Sequence, residues 1–234
     1  MNKSGFVLIA ALLWAACSVK EQKINTLSSR EIAEGWQLLF NGTDMSGWKL
    51  YNGGDTTGWR VEEGVMMNTG VGSDHGGDII TKEQFASFEL CLEWKIDSTS
   101  NSGVFYHVQE GAADAIYESG IEYQLIDDKG WPEPLEPDQH SGANYAMHAP
   151  VSIPVKPLDE WNSTRIVVRD SLVEHWLNGE KVVEYVLWNE DWQARKAEGK
   201  WKDVATYGIA GRGHIGLQDH GGLTLFRNIK IRKL

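Results

Sequence analysis

Three stretches of this chain set proton-moving and hydroxyl-holding side chains in strict alternation with apolar ones. In SGIEYQLIDD (119–128), Glu122 and Gln124 alternate with Ile121, Tyr123 and Leu125; in NSGVFYHVQ (101–109), Phe105 and His107 alternate with Val104, Tyr106 and Val108. In HIGLQDHGG (214–222), His214, Gly216, Gln218 and His220 stand opposite Ile215 and Leu217. A period of two is that of a strand, with alternate residues on opposite faces. If the apolar set faces a core, the Glu, Gln and His side chains share an open face, and Gly216 leaves room beside them. Imidazole titrates near neutrality and a glutamate on a partly closed face is readily tuned upward, so the array suits acid–base work on a neutral polar ligand. The plainer reading is also physical: polar strand faces are commonly solvated, and a His ahead of Gly221-Gly222 can simply cap a turn.

Other clusters carry less. GSDHGGD (72–78) offers Asp74, His75 and Asp78 as metal donors, but lacks the spacing of a calcium loop. His140 and His148 are eight residues apart and fit no zinc pattern. No nucleotide loop or Gly-x-Ser-x-Gly elbow is present, and GRGHIG lacks the strand–helix setting of a dinucleotide site.

Positioning these residues requires strands, and the chain supplies them. FELCLEWKI (88–96) alternates throughout; RIVVRDSLVEHWLNGEKVVEYVL (165–187) reads as three strands broken at Arg169-Asp170-Ser171 and at Asn178-Gly179, the latter a type I′ signal. Further strands are expected at 36–40, 57–67, 77–81, 103–109, 120–126, 143–148, 213–218 and 223–232, with one short surface helix near 189–199. Turn signals at this spacing without βαβ alternation predict an all-β sandwich of two antiparallel sheets. The 11 Trp and 25 Gly in 234 residues agree with an aromatic-rich, turn-rich β fold. A net charge of −11 argues against a nucleic-acid partner.

The N-terminus reads as export machinery. MNKSGFVLIAALLWAAC (1–17) has one Lys, an apolar run too short to span a bilayer, and two small residues before Cys17, the pattern of a bacterial lipoprotein signal with Cys17 as the lipidated residue. Residues 18–34 are expected to be a flexible tether and 35–234 a single domain. With Cys17 lipidated, Cys91 is left without an internal disulfide partner.

The ordered series GWQLLFNGTDMSGW, GWRVEEGVM, NSGVFYHV, GIEYQLIDD, WNSTRIVVRD and GHIGLQDHGGLTLFRNIKI, spanning 35–231, resembles the 3-keto-disaccharide hydrolase domain family. The resemblance implies a concanavalin A-like jelly roll and cleavage of a glycoside already oxidised to a ketone at carbon 3. It implies a small carbohydrate substrate, an oxidoreductase partner that makes it, and a cell-envelope location with membrane contact through the lipid anchor only. Such chemistry needs a base near carbon 2, an electrophile at the ketone oxygen and an acid at the leaving group. Glu122, His107 and His220 are the acid–base candidates; Gln124, Asp127 and Gln218 would hold hydroxyls; Lys82 and Arg227 are the candidate cations. A divalent metal is compatible with enolate chemistry, but no ligand set here specifies one. Glu122, Gln124 and Asp127 also resemble the carboxylate spacing of laminarinase-type enzymes, with Gln in place of the middle Asp. A carbohydrate-binding module and a conventional glycosidase remain as alternatives.

Overall fold

The computed structural model describes residues 23–53, 58–68 and 77–234. Cys17, Asp74 and His75 lie outside the described residues. The strands are β1 (Gln37–Leu38), β2 (Trp48–Leu50), β3 (Trp59–Glu62), β4 (Val65–Asn68), β5 (Ile79–Phe85), β6 (Phe88–Ile96) and β7 (Asn101–Val108). They continue as β8 (Ile121–Ile126), β9 (Asn162–Arg169), β10 (Leu172–Leu177), β11 (Glu180–Val186), β12 (Gly213–Leu217) and β13 (Thr224–Lys233). Two helices, α1 (Ser29–Ala33) and α2 (Glu190–Glu198), flank them.

The strands form the two antiparallel sheets of a jelly-roll sandwich. One runs β11-β10-β9-β6-β13-β4-β3 with β1 beside β13; the other runs β2-β5-β12-β7-β8. Between them lies the core, with Trp94, Phe88 and Ile166 from the larger sheet against Tyr106, Tyr123 and Leu217 from the smaller. The alternation in FELCLEWKI holds from Leu90 onward: Leu90, Leu92, Trp94 and Ile96 are buried, while Cys91, Glu93 and Lys95 are partly exposed; Glu89 departs from it, buried under its ion pairs with Arg165 and Arg232. The Asn178-Gly179 turn has φ of 49° and 86°, both positive as a type I′ turn requires. Helix α2 starts at Asn189, whose side chain accepts from the Trp192 amide.

Three expectations change. The single strand expected at 57–67 is, over its described residues 58–67, a hairpin, because Glu63 and Gly64 both take positive φ (49° and 79°) and turn β3 into β4. The stretch 143–148 is not a strand but a tight turn with isolated bridges from Asn144 to Tyr123 and His148. Residues 23–34 do not hang free. Asn25 and Asn228 exchange backbone-to-side-chain hydrogen bonds of 2.6 and 2.8 Å, α1 carries a Ser28/Glu31 capping box, and Glu31 pairs with Lys230. This segment is fastened to the outer side of β13.

Candidate active site

The register of the smaller sheet explains how its outer face gathers polar groups. Glu122 is paired with Phe105, and Phe105 with Gly216; Gln124 is paired with Gly103. The Gln218 amide donates to the Gly103 carbonyl at 3.0 Å, which carries that register beyond the end of β12. One row therefore reads Gly216, Phe105, Glu122 and the next Gln218, Gly103, Gln124. The first row is roofed by Ile116, from a single 3-10 turn (Ile116–Glu118), packed with Tyr51, Ile80, Phe105 and Val108. The second stays open. A cavity of about 170 Å³ results, lined by Asn101, Tyr117, Glu122, Gln124, Tyr145, Lys200, Gln218 and His220.

Glycine placement shapes this floor. A Cβ on Gly103 would stand 2.5 Å from Glu122 Oε1 and 2.9 Å from Phe105 Cε2, so the missing side chain is what admits the carboxyl. Gly216 serves another purpose: its space is filled by Ile116 Cδ1 and Phe105 Cβ, not by the cavity.

Glu122 is 5% exposed, and burial pushes its carboxyl up to about 8, with nearby Asp78 adding to the shift and Lys200 opposing it. No hydrogen bond or ion pair engages that carboxyl among the described residues. Gln218 Oε1 is likewise buried without a partner. His220 sits at the rim with its ring edge-on to Trp131, centroids 6.4 Å apart.

The run Gln218-Asp219-His220 is held rigidly. Ser102 Oγ donates to the Gln218 carbonyl (2.9 Å), the Asp219 amide donates to Asp78 Oδ1 (3.0 Å), and Asp219 Oδ1 accepts from the Gly221 amide (3.2 Å). The Asp219 side chain packs against the backbones of Gly58 and Gly77, and its burial raises the carboxyl above the usual range. Gly221, at φ 88°, then turns the chain away.

The far wall comes from loops. The Tyr145 amide donates to the Glu122 carbonyl at 3.1 Å, seating the 140–148 turn beside β8. Lys200 follows α2, and its Nζ stands 4.4, 4.9 and 5.8 Å from the ring centroids of Tyr145, Trp201 and Tyr117. Behind it runs a stack of rings: Trp201 on Tyr207 (4.2 Å, 6°), Tyr207 on Trp192 (5.9 Å, 2°), Trp192 on Tyr185 (5.6 Å, 19°) and Tyr185 on His148 (4.5 Å, 10°).

Of the residues singled out from sequence, the cavity brings together Glu122, Gln124, Gln218 and His220. It excludes the other four. His107 is buried at a bulge where β7 has one more residue than β12, with φ 56°; its Nε2 lies 2.9 Å from the Ala86 carbonyl and its ring against Phe88 and Tyr106. The bulge also sends Val108 to the Phe105 side, against the simple alternation. Asp127 caps the turn after β8, accepting from the amides of Thr99, Lys129 and Gly130. Lys82 is exposed on β5 away from the cavity. Arg227 belongs to the outer face of the larger sheet, donating to Glu93 at 2.6 Å and lying 4.0 Å over Trp161. Lys200, Tyr145, Tyr117 and Asn101 line the cavity without having been read from sequence. Among the described residues, no group of three or more His, Cys, Asp or Glu side chains is placed to hold a metal. Nor, among them, is any helix long and apolar enough to cross a membrane.

Comparison with known proteins agrees with this fold. Residues 35–232 match the model of the 3-keto-alpha-glucoside-1,2-lyase-like domain. A 3-keto-disaccharide hydrolase from Bacteroides thetaiotaomicron is 33% identical over 245 residues, covering 93% of this chain and 84% of that protein. Two crystal structures from Parabacteroides distasonis, provisionally described as glycosyl hydrolases, superpose closely. The first is 45% identical with a TM-score of 0.85, covering 91% of this chain and 100% of its own; the second is 28% identical with a TM-score of 0.67, covering 85% and 99%. The chain belongs to the 3-keto-alpha-glucoside-1,2-lyase-like domain family.

Proposed function

We propose that this cavity cleaves the glycosidic bond of 3-keto-disaccharides by first removing the proton on carbon 2. Family membership and the hydrolase relative make the protein a carbohydrate-active enzyme of the hydrolase kind. The observation that carries the finer reading is the Glu122 carboxyl, kept protonated at neutral pH by burial and facing the same cavity as His220. A ketone at carbon 3 acidifies the neighbouring C2–H bond. His220 accepts that proton, the electron pair is delocalised onto the ketone oxygen, and its return expels the aglycone from carbon 1. Glu122 supplies the proton that the departing oxygen needs. Addition of water across the unsaturated product completes a net hydrolysis. Gln124, Gln218 and Asn101 present amides able both to donate to and to accept from sugar hydroxyls.

A retaining glycosidase would need a second carboxylate about 5–5.5 Å from the first. Among the described residues lining the cavity, Glu122 is the one carboxyl. This favours carbonyl-assisted cleavage over the conventional route, and a turnover site over a binding module.

The test is product analysis in deuterated water with a 3-keto-disaccharide and its unoxidised parent, with and without chelator to report any divalent ion. The expected outcome is cleavage of the 3-keto sugar alone, with deuterium entering at carbon 2. Cleavage of the parent, or retention of hydrogen at carbon 2, defeats the proposal. H220A should lose both exchange and cleavage by about 10²-fold, whereas E122Q should lose cleavage by a similar factor and keep exchange.

The substrate's oxidation level calls for an oxidoreductase that converts a C3 alcohol to the ketone. The same reading includes export to the bacterial envelope and lipidation at Cys17, supported by residues 1–17. Mass spectrometry of the mature N-terminus tests it.

A further inference from the structure

An elimination through carbon 2 leaves one requirement that neither His220 nor Glu122 meets. Negative charge builds on the ketone oxygen, and the two cations read from sequence are elsewhere: Lys82 is exposed away from the cavity, and Arg227 lies on the other sheet paired with Glu93. We propose that Lys200, held over the rings of Tyr145, Trp201 and Tyr117 on the wall facing Glu122, is the electrophile that binds the ketone oxygen and selects 3-keto sugars over their parents. The inference rests on the carbonyl-assisted reading.

Three observations support this placement. Aromatic faces within about 6 Å stabilise an ammonium without neutralising it, because a ring contributes a quadrupole and not a countercharge. Lys200 has no ion pair among the described residues, although it lines the same cavity as Glu122, so space for a ligand separates the two. A protonated Glu122 leaves the ammonium's field uncancelled, and that field is available to charge that appears during reaction. Trp201 fixes the wall in turn: it is 1% exposed, stacked on Tyr207, and its Nε1 donates to the Tyr145 carbonyl at 3.3 Å.

In the step itself, His220 takes the C2 proton, and the C2–H electron pair becomes the C2–C3 double bond. The carbonyl π pair moves onto oxygen, where the Lys200 ammonium donates a hydrogen bond to it. When that pair returns, the C2–C3 pair becomes the C1–C2 double bond, the C1–O bond breaks, and the aglycone leaves as an alcohol with the proton from Glu122. An ammonium has three donors and no acceptor, so it serves an enolate oxygen well. An unoxidised C3 hydroxyl develops no charge for it to hold.

The experiment compares wild type, K200M and K200R in three measurements: cleavage of the 3-keto-disaccharide, deuterium exchange at carbon 2, and calorimetric binding of the 3-keto sugar against its parent. K200M should lower cleavage and exchange together by about 10²–10³-fold, the scale of one lost oxyanion donor. It should also remove the preference for the 3-keto sugar, while K200R retains part of both. Lys200 is exposed at the rim, so unchanged circular dichroism is expected for both variants. K200M with exchange and cleavage within about threefold of wild type overturns the role of Lys200 and leaves the elimination reading standing. A Lys200 adduct trapped by borohydride overturns it in favour of an imine. If wild type exchanges no deuterium at carbon 2, the inference fails together with the reading beneath it.

Discussion

Replacing Gly103 by alanine is a sharp probe of the proposed chemistry, because it touches Glu122 without changing it. The new Cβ would stand 2.5 Å from Glu122 Oε1, 3.0 Å from Glu122 Cδ and 2.9 Å from Phe105 Cε2. Favourable contact lies at about 3.5 Å, so something must withdraw by roughly 1 Å. Phe105 is fully buried beneath Ile116 and has nowhere to go; the carboxyl, at the end of a flexible side chain facing the cavity, moves instead. A displacement of about 1 Å in a reacting group costs on the order of 10²-fold. The fold suffers less. Gly103 does not occupy the left-handed region, alanine gains about 0.5–1 kcal/mol over glycine in a strand, and overpacking costs about 1–3 kcal/mol. The balance is a loss of about 0–2.5 kcal/mol, or a few degrees in Tm at about 2–4 °C per kcal/mol. The assay is kcat/KM on a 3-keto-disaccharide beside thermal melting by circular dichroism. A roughly 100-fold drop with a shift of a few degrees is expected. A variant within about threefold of wild-type kcat/KM refutes the idea that the placement of Glu122 matters.

Stability should carry the mark of the same carboxyl. Glu122 is raised from 4.5 to about 8, so between those values the folded protein holds a proton that the unfolded chain has released, and folding weakens as pH rises through this window. Glutamine does not titrate; E122Q should therefore melt increasingly above wild type from about pH 5 to about pH 8, and parallel melting curves across that range would contradict the assignment. Asp127, which binds three backbone amides, should matter to folding and not to chemistry: D127A is expected to lose about 1–3 kcal/mol in denaturant titration while its folded fraction keeps kcat/KM within a few-fold.

Where the chain was legible, periodicity made it so. Glu122 and Gln124 occupy the face their alternation assigned them, because β8 is regular from end to end. His107 was misplaced because it lies in the bulge itself, where the period of two breaks, and nothing in NSGVFYHV announces a positive φ at a histidine. Asp127 and Arg227 illustrate another limit: residue type suggests a hydroxyl holder and a substrate-facing cation, but the neighbouring amides of a turn and the facing Glu93 claim them first. Lys200 and Tyr145 reach the cavity from loops far along the chain, where no local pattern exists to betray a shared destination. Gly103 stood in plain view in NSG, but the value of an absent side chain appears only once the register sets Glu122 diagonally across from it.

The fastening of residues 23–34 along β13 governs how the enzyme would be displayed on a membrane. A chain anchored at Cys17 would have seven residues, Ser18 to Ile24, before Asn25, the residue clasped to Asn228. Fully extended at about 3.3–3.6 Å per residue, that stretch could reach at most some 25 Å. It leaves from the larger sheet, whereas the cavity opens on the outer face of the smaller one. Such a molecule would sit like a bowl on a short stem, its base toward the lipid and its mouth toward passing sugars. Lengthening the stem would add freedom to roam; if the anchor is as proposed, the direction of the mouth would follow from the two asparagines that clasp each other across the base.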